Sequence, residues 1–185
     1  MRIVVTGFEP FGGREENASW EAVKTLSGVE KILLPVSFVR AADRVRALAA
    51  SGPDAVICVG EAGGRAAVSV ERVAVNLMDA RIPDSDGAQP RDTAVRPGGP
   101  AAWFSTLPTR DILDAVTGAG IPAEMSYTAG TYVCNAVFYA LMDAAAQERS
   151  VKAAGFIHVP ALLMDAGQIR TALTLAVQRT AQALL

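Results

Sequence analysis

Thr128-Ala-Gly-Thr-Tyr-Val-Cys134-Asn-Ala-Val-Phe-Tyr-Ala-Leu-Met142 is the stretch whose reading decides the fold. Val133, Val137 and Leu141 recur every four residues, with Ala136 and Ala140 beside them, the period of a helix with one buried face. Gly130 and Thr131 precede the run, and threonine is a competent N-cap, so the helix is expected to start at Thr131 with Cys134 in its first turn. Peptide N–H groups there lack intrahelical acceptors, and the helix dipole is positive at that end. Both favour a thiolate, so the sequence predicts a nucleophilic Cys134 with a lowered pKa. The competing expectation is a small, buried, inert cysteine.

Ala123 to Tyr127 reads as the strand leading into this helix. Phe156-Ile-His158-Val159, closed by Pro160, reads as the inner strand after it. Taken as a βαβ unit, this brings the carboxyl end of the second strand to the same sheet edge as the helix N-terminus. Cys134 and His158, the chain's single histidine, can then meet, as Cys–His nucleophilic catalysis requires. A third group must fix the imidazole tautomer, and Glu71 on the otherwise apolar run 68–76 is the best carboxylate.

Working back to the N-terminus, Ile3-Val4-Val5, Ile32-Leu-Leu34 and Ala55-Val-Ile-Cys58-Val59 are short apolar runs closed by Gly or Pro. Helical patterns after Asn17 or Ser19 and over Ala41 to Ala50 separate them. The alternation predicts a parallel α/β sandwich. Phe8-Glu-Pro-Phe11-Gly-Gly13 follows the first strand and Glu61-Ala-Gly-Gly-Arg65 the third; both loops face the usual ligand crevice of such a sheet. Residues 68–76 read as one long strand. The Pro/Gly/Asp-rich stretch from Asp79 to Pro100 reads as a surface loop with little to pack. Ile112 to Val116 and Ala166 to Leu184 read as helices, the latter burying Ile169, Leu173, Leu175 and Val177.

Composition narrows the function classes. The net charge is −2 and no basic block occurs, which argues against nucleic acid or an anionic membrane surface as partner. The chain is 51% hydrophobic, yet no run approaches the roughly 18 apolar residues of a membrane span, and the N-terminus reads as a strand rather than a signal peptide. Two cysteines and one histidine form no metal-ligand spacing, so neither metal nor cofactor is expected. No Gly-rich phosphate-loop pattern is present. With no repeat or linker, residues 1–185 read as a single catalytic domain of a reduced, cytoplasmic protein.

The ordered motifs Thr6-Gly-Phe-Glu-Pro-Phe-Gly-Gly13, Ser19-Trp-Glu-Ala-Val23, Ala62-Gly-Gly-Arg65, Glu71-Arg-Val-Ala-Val-Asn76, Asp79-Ala-Arg-Ile-Pro-Asp84, Ala129-Gly-Thr-Tyr-Val-Cys-Asn135 and Gly155-Phe-Ile-His-Val-Pro160 resemble the pyroglutamyl-peptidase I family of cysteine peptidases. The resemblance implies a three-layer α/β/α sandwich with a mostly parallel, mixed central sheet, and a homo-oligomer, tetramer or dimer. It implies removal of N-terminal pyroglutamate from peptides through a thioester. By the same resemblance Cys134, His158 and Glu71 form the triad, Phe8 and Phe11 sandwich the lactam ring, Arg81 lies near the reacting carbonyl, and Asn17, Glu61 and Val133 join the substrate pocket.

Two residues depart from the family pattern. Glu61 stands where Gln or Leu is common, and Asp143 where a His commonly ends the cysteine helix. Glu61 is expected either to face the lactam, with Arg65 neutralising it or with its pKa raised so that it donates as the acid, or to point to solvent. Facing the lactam, its carboxylate can accept the ring N–H but cannot donate to the ring carbonyl. Two other functions remain open to a chain of this pattern: a catalytically silent binder of pyroglutamyl-blocked peptides, and a nucleoside-phosphorylase-like enzyme of related fold.

Overall fold

The computed structural model describes residues 1–148, 150–161 and 163–185. In chain order the elements are β1 (Ile3–Phe8), α1 (Ala18–Val23), β2 (Glu30–Leu34), α2 (Phe38–Ala50), β3 (Ala55–Ala62), β4 (Val68–Glu71), β5 (Val73–Val75), β6 (Ala102–Phe104), α3 (Thr109–Gly118), β7 (Ala123–Ser126), α4 (Val133–Ala145), β8 (Ala153–Pro160) and α5 (Ala166–Ala183).

Six strands form the central sheet in the order β2-β1-β3-β8-β4-β7. β2, β1, β3 and β8 are mutually parallel, and β4 joins β8 antiparallel with β7 parallel to β4. β1, β3 and β8 read as continuous apolar runs because both their faces are covered. Val4, Cys58 and Phe156 point into a core shared with α2 and α4. Val5, Ile57, Val59 and Ile157 point into a second core shared with residues of α1, α3 and α5. The result is the expected three-layer sandwich with a mixed, mostly parallel sheet. The long α5 buries Ile169, Ala172, Leu173 and Ala176, with Leu175 and Val177 at its flanks.

Three expectations are corrected. First, 123–159 is not a simple βαβ crossover: β7 runs opposite to β8, with β4 between them. Cys134 and His158 converge because α4 returns along β8, not because β7 and β8 are parallel neighbours. Second, the run 68–76 is not one strand. It breaks at Arg72, whose N–H donates to the Ser126 carbonyl (2.7 Å) while its carbonyl accepts from Ser105 N–H (3.0 Å). Beyond the break, β5 pairs antiparallel with β6 in a separate two-stranded sheet. Third, the 79–100 stretch is the expected surface loop over most of its length, but it does have residues that pack. Ala80 is fully buried, and the buried Asp84 carboxylate accepts from the N–H groups of Phe38 (2.8 Å), Asp86 (2.9 Å) and Ala88 (2.8 Å).

Among the described residues no helix is long and apolar enough to cross a membrane.

Candidate active site

α4 begins at Val133, with Tyr132 rather than Thr131 at the N-cap, so Cys134 is the second helical residue. The Thr131 hydroxyl instead donates to the Asp79 carbonyl (2.8 Å), pinning the 79–84 segment to the helix entrance. No side chain caps this end. The first intrahelical bond of α4 runs from Ala136 N–H to the Tyr132 carbonyl (3.2 Å). The peptide N–H groups of Val133, Cys134 and Asn135 therefore point out of the helix with no intrahelical partner.

Cys134 Sγ rests against β3 at Gly60. A Cβ at residue 60 would sit 2.9 Å from that sulfur and 2.8 Å from the Phe156 ring, so only glycine lets the thiol reach the sheet. Gly60 is in register with His158 on β8, and residues in register share a face, which brings thiol and imidazole to the same face of the sheet. Gly60→Ala is expected to displace the sulfur and lower kcat about 100-fold, the cost of misplacing a reacting atom by roughly an ångström. Steady-state kinetics beside the wild type tests this; unchanged kcat would contradict the placement.

His158 lies two residues past Phe156 on the same face of β8. Glu71, at the end of β4, is in register with Phe156 and so projects from that face too. Its Oε1 lies 2.8 Å from His158 Nδ1, and both side chains are buried. Burial alone would raise the Glu71 pKa. His158, followed by Ser126 and Arg65, outweighs burial and holds the carboxyl below its ordinary range. An ionised carboxylate can only accept, so Nδ1 carries the proton and Nε2 is the free basic nitrogen.

The lowered pKa expected for Cys134 is not found. Burial, with the negative charge of Glu71 second, pushes this thiol up to about 12. The helix end remains favourable to a thiolate, but the site at rest holds a thiol, and a base must take its proton. Cys58 is likewise pushed up to about 12 by burial, and it is fully enclosed.

A cavity of about 340 Å³ opens over Cys134, walled by Phe8, Phe11, Val36, Tyr132 and Val133, with Ile82 on one side and Arg14, Asn17 and Glu61 on another. Five of the six residues expected to bind substrate are brought together here; Arg81 is not. Arg81 is exposed and outside this lining, and its neighbour Ile82 takes the place instead. Phe8 is 2% exposed and also belongs to the core, whereas Phe11 leans on Tyr132 with ring centroids 5.8 Å apart. Asn17 caps α1: its Oδ1 accepts from Ser19 N–H (3.0 Å) and its amide donates to the Glu9 carbonyl (3.0 Å).

Glu61 meets the first expectation in its place but not in its partner. It lines the cavity, but its oxygens are engaged by the Arg14 guanidinium and by Ala18 N–H (2.7 Å). Arg14, not Arg65, neutralises it; Arg65 pairs with Glu71. The carboxylate thus holds down the loop that carries Phe11. Glu61→Gln keeps an acceptor for Ala18 but loses the ion pair. KM is expected to rise by about 2- to 5-fold, the size of a part-exposed pair, with kcat unchanged. A lower KM in this variant would mean that the charge opposes the ligand instead.

Sequence reasoning missed Val36, Tyr132, Ile82 and Arg14 as lining residues and Arg65 as a partner of Glu71. Tyr132 and Ile82 each sit one residue from a candidate, Cys134's helix and Arg81 respectively, and only the packing of the 79–84 segment shows which neighbour faces the cavity. Among the described residues no group of three or more His, Cys, Asp or Glu is placed to hold a metal ion.

The sequence model of the pyroglutamyl peptidase family matches residues 1–184. A pyrrolidone-carboxylate peptidase of Gloeobacter violaceus is 52% identical over 170 residues, covering 88% of this chain and 82% of that one. The corresponding protein of Brevibacillus brevis is 46% identical over 168 residues, covering 86% and 78%. Among solved structures, pyroglutamyl peptidase I of Bacillus amyloliquefaciens superposes with a TM-score of 0.93 at 40% identity, covering 98% of this chain and 97% of that one. By fold, by sequence over nearly its whole length and by the residues gathered at its cavity, this chain belongs to the pyroglutamyl peptidase family.

Proposed function

We propose that the protein is a cysteine exopeptidase that removes N-terminal pyroglutamate from peptides, with Cys134 as nucleophile, His158 as general base and acid, and Glu71 as the group that orients the imidazole. The observation that carries this is the buried Glu71–His158 pair, at 2.8 Å, on the sheet face where Cys134, in the lining of an aromatic-walled cavity, rests at Gly60. Pyroglutamate is a flat, uncharged lactam, so a pocket for it needs aromatic and aliphatic walls rather than a carboxylate to hold an α-amine. Phe8, Phe11 and Val133 supply such walls, and Asn17 and Glu61 hold the surrounding loop.

His158 Nε2 takes the Cys134 proton as the sulfur attacks the pyroglutamyl carbonyl carbon. The oxyanion that forms is stabilised by the unpaired N–H groups of the first turn of α4. The imidazolium returns its proton to the departing peptide amine as the C–N bond breaks, leaving a thioester on Cys134. Water, deprotonated by His158, hydrolyses the thioester, and pyroglutamate and the free thiol are released. Residues 1–185 act as one catalytic domain without a cofactor. A cytoplasmic location and a homo-oligomeric state, tetramer or dimer, belong to the same proposal and rest on the family resemblance and the two free cysteines.

Release of aminomethylcoumarin from its pyroglutamyl, prolyl and alanyl derivatives tests the activity. Only the pyroglutamyl compound should be cleaved. Binding without release would indicate a silent binder, and phosphate-dependent cleavage of a nucleoside the phosphorylase-like function. Neither alternative is supported by the family match or the relatives.

A further inference from the structure

The Gly-Gly-Arg65 turn after β3 plays no part in the chemistry described so far. Its arginine is only partly exposed (side chain 25%) and reaches inward to the fully buried Glu71. Arg65 Nη1 donates to Glu71 Oε1 at 2.6 Å, the same oxygen that His158 Nδ1 approaches at 2.8 Å. Nη1 also lies 3.3 Å from Ser126 Oγ on β7, and Nη2 donates to the Thr128 carbonyl at 2.8 Å. Glu71 Oε2 is buried with no partner among the described residues. One guanidinium thus fastens the carboxylate that orients the base to the segment that leads directly into the nucleophile's helix.

We propose that Arg65 is a positioning residue of the reaction: it holds Glu71 ionised, fixes Oε1 against His158, and sets the distance between the base on β8 and the thiol on α4. This rests on the triad proposed above. The groups facing Glu71 are His158 from β8, Ser126 from β7, Arg65 from the turn and Cys134 from α4. Arg65 is the only permanently charged cation in that set. With one oxygen bare in a dry site, the carboxylate is held ionised by that charge together with His158 and Ser126. The same charge favours the Cys134 thiolate against burial and against Glu71.

Removing Arg65 therefore acts in one direction on both groups: Glu71 becomes easier to protonate and Cys134 harder to deprotonate. The fork matters besides the charge. A lysine can place one ammonium on Glu71, but it cannot donate in a fixed plane to Glu71 and Thr128 together.

The test compares wild type, Arg65→Met and Arg65→Lys for hydrolysis of pyroglutamyl-aminomethylcoumarin and for iodoacetamide alkylation of Cys134 across pH. Arg65→Met should lower kcat roughly 10- to 100-fold, the worth of a charged hydrogen bond, with a smaller change in KM. Its acid limb should move to higher pH, in turnover and in alkylation alike. Arg65→Lys should return the acid limb most of the way to the wild-type position while kcat stays reduced. Wild-type kcat and acid limb in Arg65→Met would overturn the proposal. So would equal losses in both variants with an unmoved pH profile and a lowered melting temperature, the pattern of a purely structural contact. Failure of the triad itself shows up separately, as wild-type turnover in Cys134→Ala.

Discussion

Cys134→Ala is expected to abolish turnover while leaving the fold unchanged, a loss of roughly 10⁶ in kcat, as when the nucleophile of a catalytic unit is removed. Alanine at 134 takes away one sulfur at a cavity wall and no hydrogen bond of the core, so the melting temperature and circular dichroism should stay close to wild type. Iodoacetamide should inactivate the wild type with one label on Cys134. Both thiols are pushed up to about 12 by burial, so intrinsic acidity does not separate them. Access does: Cys58, on β3 between β1 and β8, is fully enclosed, whereas Cys134 opens to the cavity. Protection from inactivation by Cys58→Ala but not by Cys134→Ala would reverse the assignment.

Glu71→Gln is the second large effect. The amide keeps the shape but not the charge that stabilises the imidazolium, and it can present an N–H to Nδ1, which selects the wrong tautomer. A loss of about 10³- to 10⁴-fold in kcat is expected, with a much smaller change in KM. The pH dependence follows in sign. The folded Glu71 pKa lies below its unfolded value, so its contribution to stability is present above the ordinary carboxylate range and is lost as pH falls through the depressed folded value. The wild type should therefore lose melting temperature as pH falls from the ordinary carboxylate range toward the depressed value, and Glu71→Gln should lack that step. Wild-type kcat in the variant would remove Glu71 from the triad.

How much of this was legible beforehand depended on whether the deciding interactions were local. β1, β3 and β8 were legible because a strand buried on both faces must be apolar throughout, and α4 and α5 because one face repeats. The break at Arg72 was not, since the alternation runs unbroken through it; the backbone turns there to meet Ser105 and Ser126, both remote in sequence. The direction of β7 likewise depends on its pairing with β4, which no local pattern records.

At the site, the types and order of Cys134, His158 and Glu71 were legible, and so was the helix end beneath the thiol. The thiol's raised pKa was not, because it comes from burial and from the charge of Glu71, both set by groups remote in sequence. The partner of Glu61 was misassigned for the same reason. Arg65 lies within six residues of both Glu61 and Glu71, and only the fold turns it toward β4 while Arg14 comes across from the β1 loop.

The most direct test of the account is to quench the reaction of the wild type with a pyroglutamyl peptide in acid and map the modified peptide by mass spectrometry. A pyroglutamyl group bound as a thioester to Cys134, absent in Cys134→Ala and removed by hydroxylamine, is the predicted result. Turnover that continues in Cys134→Ala, or an acyl group on any other residue, would contradict it.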